Sequence, residues 1–177
     1  MDLNKRALNM KINTASISIR LASAGDLPAI NDIYNYYVLN STCTYQELPE
    51  TLDDRKKWFE HHGERHPITV AISDGKVVGW GSLSPFHARS AYRYSVENSV
   101  YLDHRFHQRG IGSAVLEDLI KRAKALGHHT IIAGADGEQT ASLALHEKFG
   151  FVRSAHFKQV GFKFGRWLDV IYMQLML

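Results

Sequence analysis

The chain has 177 residues, 45% of them hydrophobic, and a formal net charge of +3, enough for one domain with a sizeable core and too little for two ordinary ones. Its basic residues are scattered, the longest run being Arg55-Lys56-Lys57 on an expected exposed helix face, so the charge suits a small polyanionic ligand and gives little support to nucleic acid as a partner. The single cysteine, Cys43, excludes an internal disulfide and a thiolate zinc cluster and points to a reducing, cytoplasmic compartment, and no apolar run approaches membrane-spanning length.

Residues 1–15 carry basic side chains with no continuous apolar segment behind them, which fits a loose tail and not a secretory signal. That leaves 16–177 as a single domain. Ile17, Ile19 and Leu21 alternate with polar residues as a first strand. A helix follows, with Asp26 and Pro28 in its first turn and an apolar side of Leu27, Ile30, Ile33, Tyr34, Tyr37 and Val38. Ser41 to Pro49, threonine-rich and holding Tyr45, reads as an extended loop of functional interest. Thr51 then caps a second helix, closed by Gly63.

Strands over Ile68 to Ile72 and Val77 to Leu83 are joined through Ser73-Asp74-Gly75-Lys76, a hairpin signal. Ser84 to Arg93 is polar and broken by a proline, and is expected to leave the strand and arch over the active site. From Tyr94 the pattern has period two, with Val96, Asn98, Val100 and Leu102 on one face and Ser95, Glu97, Ser99 and Tyr101 on the other. The period changes at Ile111, where Val115, Leu119 and Ala123 recur at helical spacing up to the stop at Gly127. Thr130 to Ala133 form a buried strand parallel to the central one. Ala135 to Gly150 is a loop and short helix, Phe151 and Val152 open another strand, and Trp167 to Leu177 form the last. This order indicates an α/β fold with a mixed, mostly antiparallel central sheet flanked by helices.

Between the central strand and its helix lies His107-Gln108-Arg109-Gly110-Ile111-Gly112, a two-glycine turn whose backbone N–H groups converge ahead of a helix dipole, a site for phosphate. It is not a dinucleotide fingerprint, since Val115 stands where the third glycine belongs, nor a P-loop, since Gly112-Ser113-Ala114 replaces Gly-Lys-Ser/Thr. It resembles the pyrophosphate loop of the GCN5-related N-acetyltransferases (GNAT), a pattern of Gln or Arg, two residues, Gly, one residue, Gly or Ala, with His107 at the first position. IRLASAGDLPAINDIYN, the hairpin ending VVGWGSL, and ASLALHEKFGF are similar to other segments of that superfamily. Within it, YYVLNSTCTYQ, Tyr94-Ser-Val-Glu-Asn-Ser-Val-Tyr101, Leu145-His146-Glu147 and GFKFGRWLDVIYMQL resemble the phosphinothricin and methionine sulfoximine acetyltransferases over roughly residues 17–177.

The resemblance implies the GNAT fold and direct transfer of acetyl from acetyl-coenzyme A, with no metal, to the α-amine of a small amino-acid analogue. It implies a cofactor site of Val100, Tyr101, Leu102, His107, Gln108, Arg109, Gly110, Ile111, Gly112, Ser113, Gln139 and Ser142. Gln139 stands where the superfamily often has an asparagine. An amine attacks a thioester only as its free base, and a departing thiolate benefits from a proton donor. Glu97 is the candidate base and His146, where the superfamily has a tyrosine, the candidate acid. The plain alternatives are a solvated glutamate on a polar strand face and a satisfied structural histidine.

Arg89, Arg93 and Tyr45 are the candidate contacts to substrate. The paired histidines His61-His62 and His128-His129 point in different directions and chelate poorly. Cys43 has no nearby activating base and reads as a small buried residue. A protein N-terminal or polyamine acetyltransferase, and a non-catalytic coenzyme A sensor, are the competing functions. The resemblance also implies a homodimer, while the scattered charge and the absence of a long apolar run speak against a nucleic-acid or membrane partner.

Overall fold

Alternation and turn chemistry build most of the sheet. The computed structural model describes residues 17–177, so the expected tail lies outside the described residues. Strand β1, Ser18–Leu21, runs antiparallel to β2, Ile68–Ser73. Asp74 and Gly75 both take positive φ, the backbone that a two-residue hairpin demands, and return the chain as β3, Lys76–Pro85. Strand β4, Ser95–Leu102, pairs antiparallel with β3 and parallel with β5, Thr130–Asp136. β6, Val152–Lys163, and β7, Arg166–Met176, form a long hairpin that joins the sheet through β7. The order of the seven strands is β1-β2-β3-β4-β5-β7-β6.

One face of the sheet carries α1, Leu27–Asn40, and α2, Leu52–Glu60. Leu27, Ile30 and Ile33 pack there against Ile68, Val70 and Trp80. Thr51 caps α2 through a reciprocal box with Asp54, whose N–H donates to Thr51 Oγ1 at 3.1 Å while its carboxylate accepts the Thr51 N–H at 3.1 Å. Arg55 departs from the exposed face expected of its basic run, being only 2% exposed. Its guanidinium lies 4.5 and 4.6 Å from the ring centroids of Tyr34 and Trp58 and 2.6 Å from Glu50 Oε2, so aromatic faces and a carboxylate replace its water.

The other face carries α3, Ile111–Ala125, and α4, Thr140–Lys148. Val115, Leu116 and Leu119 of α3 join Val78, Val96, Ile131 and Met173 in the larger core. Gly81 lets α3 lie close on β3, since a Cβ there would sit 2.6 Å from Val115 Cγ1. No helix among the described residues is long and apolar enough to cross a membrane.

The expected arch over Ser84–Arg93 is corrected at its start. β3 continues through Pro85, with Ser84 opposite Glu97 and Pro85 opposite Val96, because a proline at a strand end gives up little of the ladder. Beyond Pro85 the chain runs over the surface, with a 3₁₀ turn at Ser90–Tyr92.

Candidate active site

The decisive feature is where the sheet comes apart. β4 and β5 pair only from Ser95 to Glu97 against Thr130 to Ile132, yet β4 continues to Leu102 along β3 and β5 to Asp136 along β7. Beyond Glu97 the two strands diverge, and a cavity of about 550 Å³ fills the opening. The β5-facing backbone of Asn98 to Leu102 has no strand partner there. Because alternate residues of β4 point to opposite faces, the cavity passes through the sheet and has two different ends.

On the α3 and α4 side lie Asn98, Val100, Leu102, Gln108, Gly112, Ser142 and His146. Gln108 and Gly110 adopt left-handed backbone, φ 59° and 78°, which turns the chain into α3 with no side-chain cap on its first N–H groups. Those donors are therefore available to an anion. Tyr37 fixes the turn from α1, donating its hydroxyl to Leu102 O at 2.6 Å while standing 2.7 Å from His107 Nε2. Asp103 supports the preceding turn by accepting from the Arg105 N–H and guanidinium.

His146 is buried on α4. Its Nδ1 donates to Ser142 O at 2.8 Å, so Nε2 is the acceptor for Asn98 Nδ2–H at 3.0 Å. Burial also pushes its pKa below the usual histidine range, and both effects favour the neutral ring. Asn98 Oδ1 is left buried without a partner beside the cavity. That orphaned acceptor, the unpaired strand backbone and the uncapped N–H groups fit the amides and pyrophosphate of coenzyme A.

On the α1 and α2 side lie Glu97, Tyr101, Cys43, Thr44, Tyr45, Asp136 and Tyr172. Glu97 has no hydrogen bond or salt bridge among the described residues, and burial pushes its carboxyl up from the usual range. Gly134 makes room for it, since a Cβ there would meet Tyr172 Cε1 at 3.2 Å and Glu97 Oε1 at 3.4 Å. Burial likewise pushes the Tyr45 hydroxyl up to about 12, and that hydroxyl donates to Asp169 O at 2.8 Å. Asp136 accepts from the Thr42 hydroxyl and the Glu138 N–H.

Several expected site residues fall elsewhere. Arg89 and Arg93 do not line the cavity; Arg93 donates to Ser90 O and lies over Tyr94, outside it. Arg109 lies over Phe106 and donates to Arg105 O, and Ile111 is core. Ser113 receives Lys148 Nζ at 3.4 Å and also lies outside the lining. Gln139 lines the cavity but spends its amide on Thr42 Oγ1 at 3.2 Å. Cys43 is half-buried and lines the cavity, and burial raises its thiol pKa, so little thiolate is present. Glu97 and His146 reach the cavity from opposite faces of the sheet. Tyr37, Asp136 and Tyr172 also line the cavity although the sequence singles out none of them as a site residue; the tertiary fold gathers them from α1, β5 and β7.

A family model described as Acetyltransferase (GNAT) family matches residues 30–151. The chain belongs to the GNAT family. Among its GNAT relatives, the L-methionine sulfoximine/L-methionine sulfone acetyltransferase of Pseudomonas aeruginosa is 42% identical over 162 residues, covering 90% of this chain and 94% of the relative. The phosphinothricin N-acetyltransferase of Alcaligenes faecalis is 35% identical over 169 residues, covering 94% and 86%. The solved structure of a GNAT superfamily phosphinothricin acetyltransferase from Sinorhizobium meliloti in complex with AcCoA superposes with a TM-score of 0.89 at 40% identity, covering 91% of this chain and 88% of that one. The expected fold and family are thereby borne out.

Proposed function

We propose that the protein transfers acetyl from acetyl-coenzyme A directly to the α-amine of a small amino-acid analogue of the methionine sulfone, methionine sulfoximine or phosphinothricin type. The observation that carries this reading is the cavity through the parted β4 and β5, with an anion-binding turn at one end and an unpaired, half-buried carboxylate at the other. The relatives acting on those analogues support the acceptor class.

Acetyl-coenzyme A supplies an activated acetyl group as a thioester. The backbone N–H groups of the turn 107–113 hold its pyrophosphate, and the open edge of β4 with Asn98 Oδ1 takes the amides of its arm. A β4 backbone N–H near Val100 or Tyr101 donates to the thioester carbonyl oxygen as charge develops on it. Glu97, directly or through a water, takes a proton from the ammonium so that the nitrogen lone pair attacks the carbonyl carbon. The C–N bond forms, the nitrogen releases its second proton to solvent as it becomes the amide, the C–S bond breaks, and the sulfur leaves as a thiolate that takes a proton from solvent. His146, neutral and bonded at both nitrogens, fits a positioning role toward Asn98 better than that of an acid. Tyr45 and Tyr172 form aromatic walls of the acceptor end.

The active unit is a homodimer in the cytoplasm, and the exposed Phe157, Val160, Phe162, Phe164 and Trp167 of the β6–β7 hairpin supply an apolar face for it. Light scattering that records only monomer at working concentrations removes the dimer. A coenzyme A release assay across amino-acid analogues, peptide N-termini and polyamines tests the function. Turnover confined to peptides or polyamines replaces the acceptor class, and tight cofactor binding without turnover of any amine replaces the enzyme with a sensor.

A further inference from the structure

We infer that Lys163 is a positioning residue for the amine acceptor, acting through the Ser41–Gln46 segment from the far end of the β6–β7 hairpin. The inference rests on the proposed reading that this end of the cavity receives the amine.

Lys163 closes β6 and is only 2% exposed. No salt bridge to it occurs among the described residues. Burying an ammonium without a counter-ion costs several kcal/mol, and here backbone takes the place of a carboxylate. Nζ donates to Ser41 O at 2.7 Å and to Thr44 O at 2.8 Å and stands 4.9 Å from the centroid of the Phe164 ring. Ser41 to Gln46 has no regular secondary structure, so no strand or helix ladder satisfies these two carbonyls. One ammonium thus gathers both into a single point and sets the shape of the turn between them. Burial lowers the lysine pKa, as a desolvated ammonium requires.

The residues shaped by that turn, Cys43, Thr44 and Tyr45, line the cavity, whereas Lys163 does not. The same strand face receives Tyr45. Gly161, two residues before Lys163, lies under the Tyr45 ring, where a Cβ would come within 2.9 Å of Cε2. β6 therefore presents a bare backbone for the ring and an ammonium for the turn, a mould for one wall of the acceptor end. A hydrophobic lysine substitute would leave Ser41 O and Thr44 O unsatisfied and free the wall. The anion-binding turn lies on the other face of the sheet and has no share in these contacts.

Two readouts test this on the full-length enzyme. The first is the rate at which the lone thiol, Cys43, reacts with a disulfide reagent such as DTNB in Lys163→Met and in wild type. Release of the turn should raise it at least about tenfold, whatever the acceptor is. The second is steady-state kinetics with methionine sulfone and acetyl-coenzyme A. KM for the amine should rise about tenfold or more, while KM for acetyl-coenzyme A stays within about twofold. Gly161→Ala, which displaces Tyr45 without touching the buried charge, should show the same split in KM and carries the test if Lys163→Met does not fold. An unchanged thiol rate overturns the inference, as does an equal rise in both Michaelis constants. Wild-type protein inactive on every amino-acid analogue would refute the proposed acceptor class instead, leaving the thiol rate to decide the role of Lys163.

Discussion

Replacing Glu97 by Gln separates a catalytic carboxylate from a structural one, because its surroundings predict opposite effects on rate and stability. The carboxylate makes no hydrogen bond or ion pair among the described residues, and burial raises its pKa. Between the unfolded and the higher folded pKa the native state holds the proton more tightly. Stability is thus lost as pH rises through that window, and the ionised form is a net burden at pH 8. A neutral amide of the same shape removes that burden and breaks no partner. Glu97→Gln should therefore melt at or above the wild-type temperature at pH 8. A positioned general base contributes roughly 10² to 10⁴ in rate, or about 3 to 5 kcal/mol. The other carboxylate lining this end, Asp136, is engaged by the Thr42 hydroxyl and the Glu138 N–H and is a poor substitute. We expect kcat with methionine sulfone to fall about 10³-fold, acetyl-coenzyme A affinity to hold within about twofold, and the acid limb of the pH–rate profile to vanish. Coenzyme A release from about pH 4.5, near the ordinary glutamate value, to the alkaline side, alongside calorimetry, measures all three. A variant that keeps more than about a tenth of wild-type kcat with the same acid limb would refute the base assignment.

His146→Asn should cost less than Glu97→Gln and leave the pH profile unchanged, since the native ring is neutral and bonded at both nitrogens; a lost basic limb in that variant would restore it as an acid. Gly112→Ala should fold normally, its Cβ meeting only Leu145 at 3.4 Å and Leu102 at 3.6 Å, yet weaken acetyl-coenzyme A binding about tenfold by titration calorimetry. Gly110→Ala should lose about 1 to 2 kcal/mol of stability as well, because φ is 78° there. Asp26, held down to about 2 by the Arg20 guanidinium and by Ser23, contributes stability above its unfolded pKa that is lost as pH falls toward 2. Asp26→Asn should flatten the acid limb of melting temperature against pH between about 4 and 2.

What could be read in advance was what short spans decide. Asp74-Gly75 specified a hairpin, Thr51 a capped helix, and Gly110 and Gly112 a turn before α3, each through chemistry within a few residues. The acceptor end was much less visible. Thr42 meets Asp136 from 94 positions away and Lys163 meets Thr44 from 119, and no periodicity reports such pairs. Arg89 and Arg93 looked suitable because they precede Glu97 in the chain. Proximity along a strand is not proximity in space, and the chain between Pro85 and Ser95 stays outside the cavity. Arg55 misled in the opposite sense, since a run of basic residues gives no sign that one of them is buried beside Tyr34 and Trp58.

The parting of β4 and β5 also bears on why one carboxylate suffices. Had the strands stayed paired, Glu97 and His146 would sit on sealed, opposite faces of a sheet and could not serve one reaction. Once they part, the proposed reading brings the donor in from the α3 and α4 face and the amine from the other, so that the reacting atoms meet in the plane of the sheet. Each face then needs to supply only what its own reactant lacks. In the proposed reaction the amine arrives charged and needs an acceptor for its proton, a task that fits the unpaired, partly desolvated carboxylate of Glu97. The thioester carries its activation with it, and its sulfur can depart as a thiolate without prior protonation, so its face needs donors and shape more than an acid. The asymmetry between an ionisable Glu97 without partners and a neutral, doubly bonded His146 follows from that division of labour.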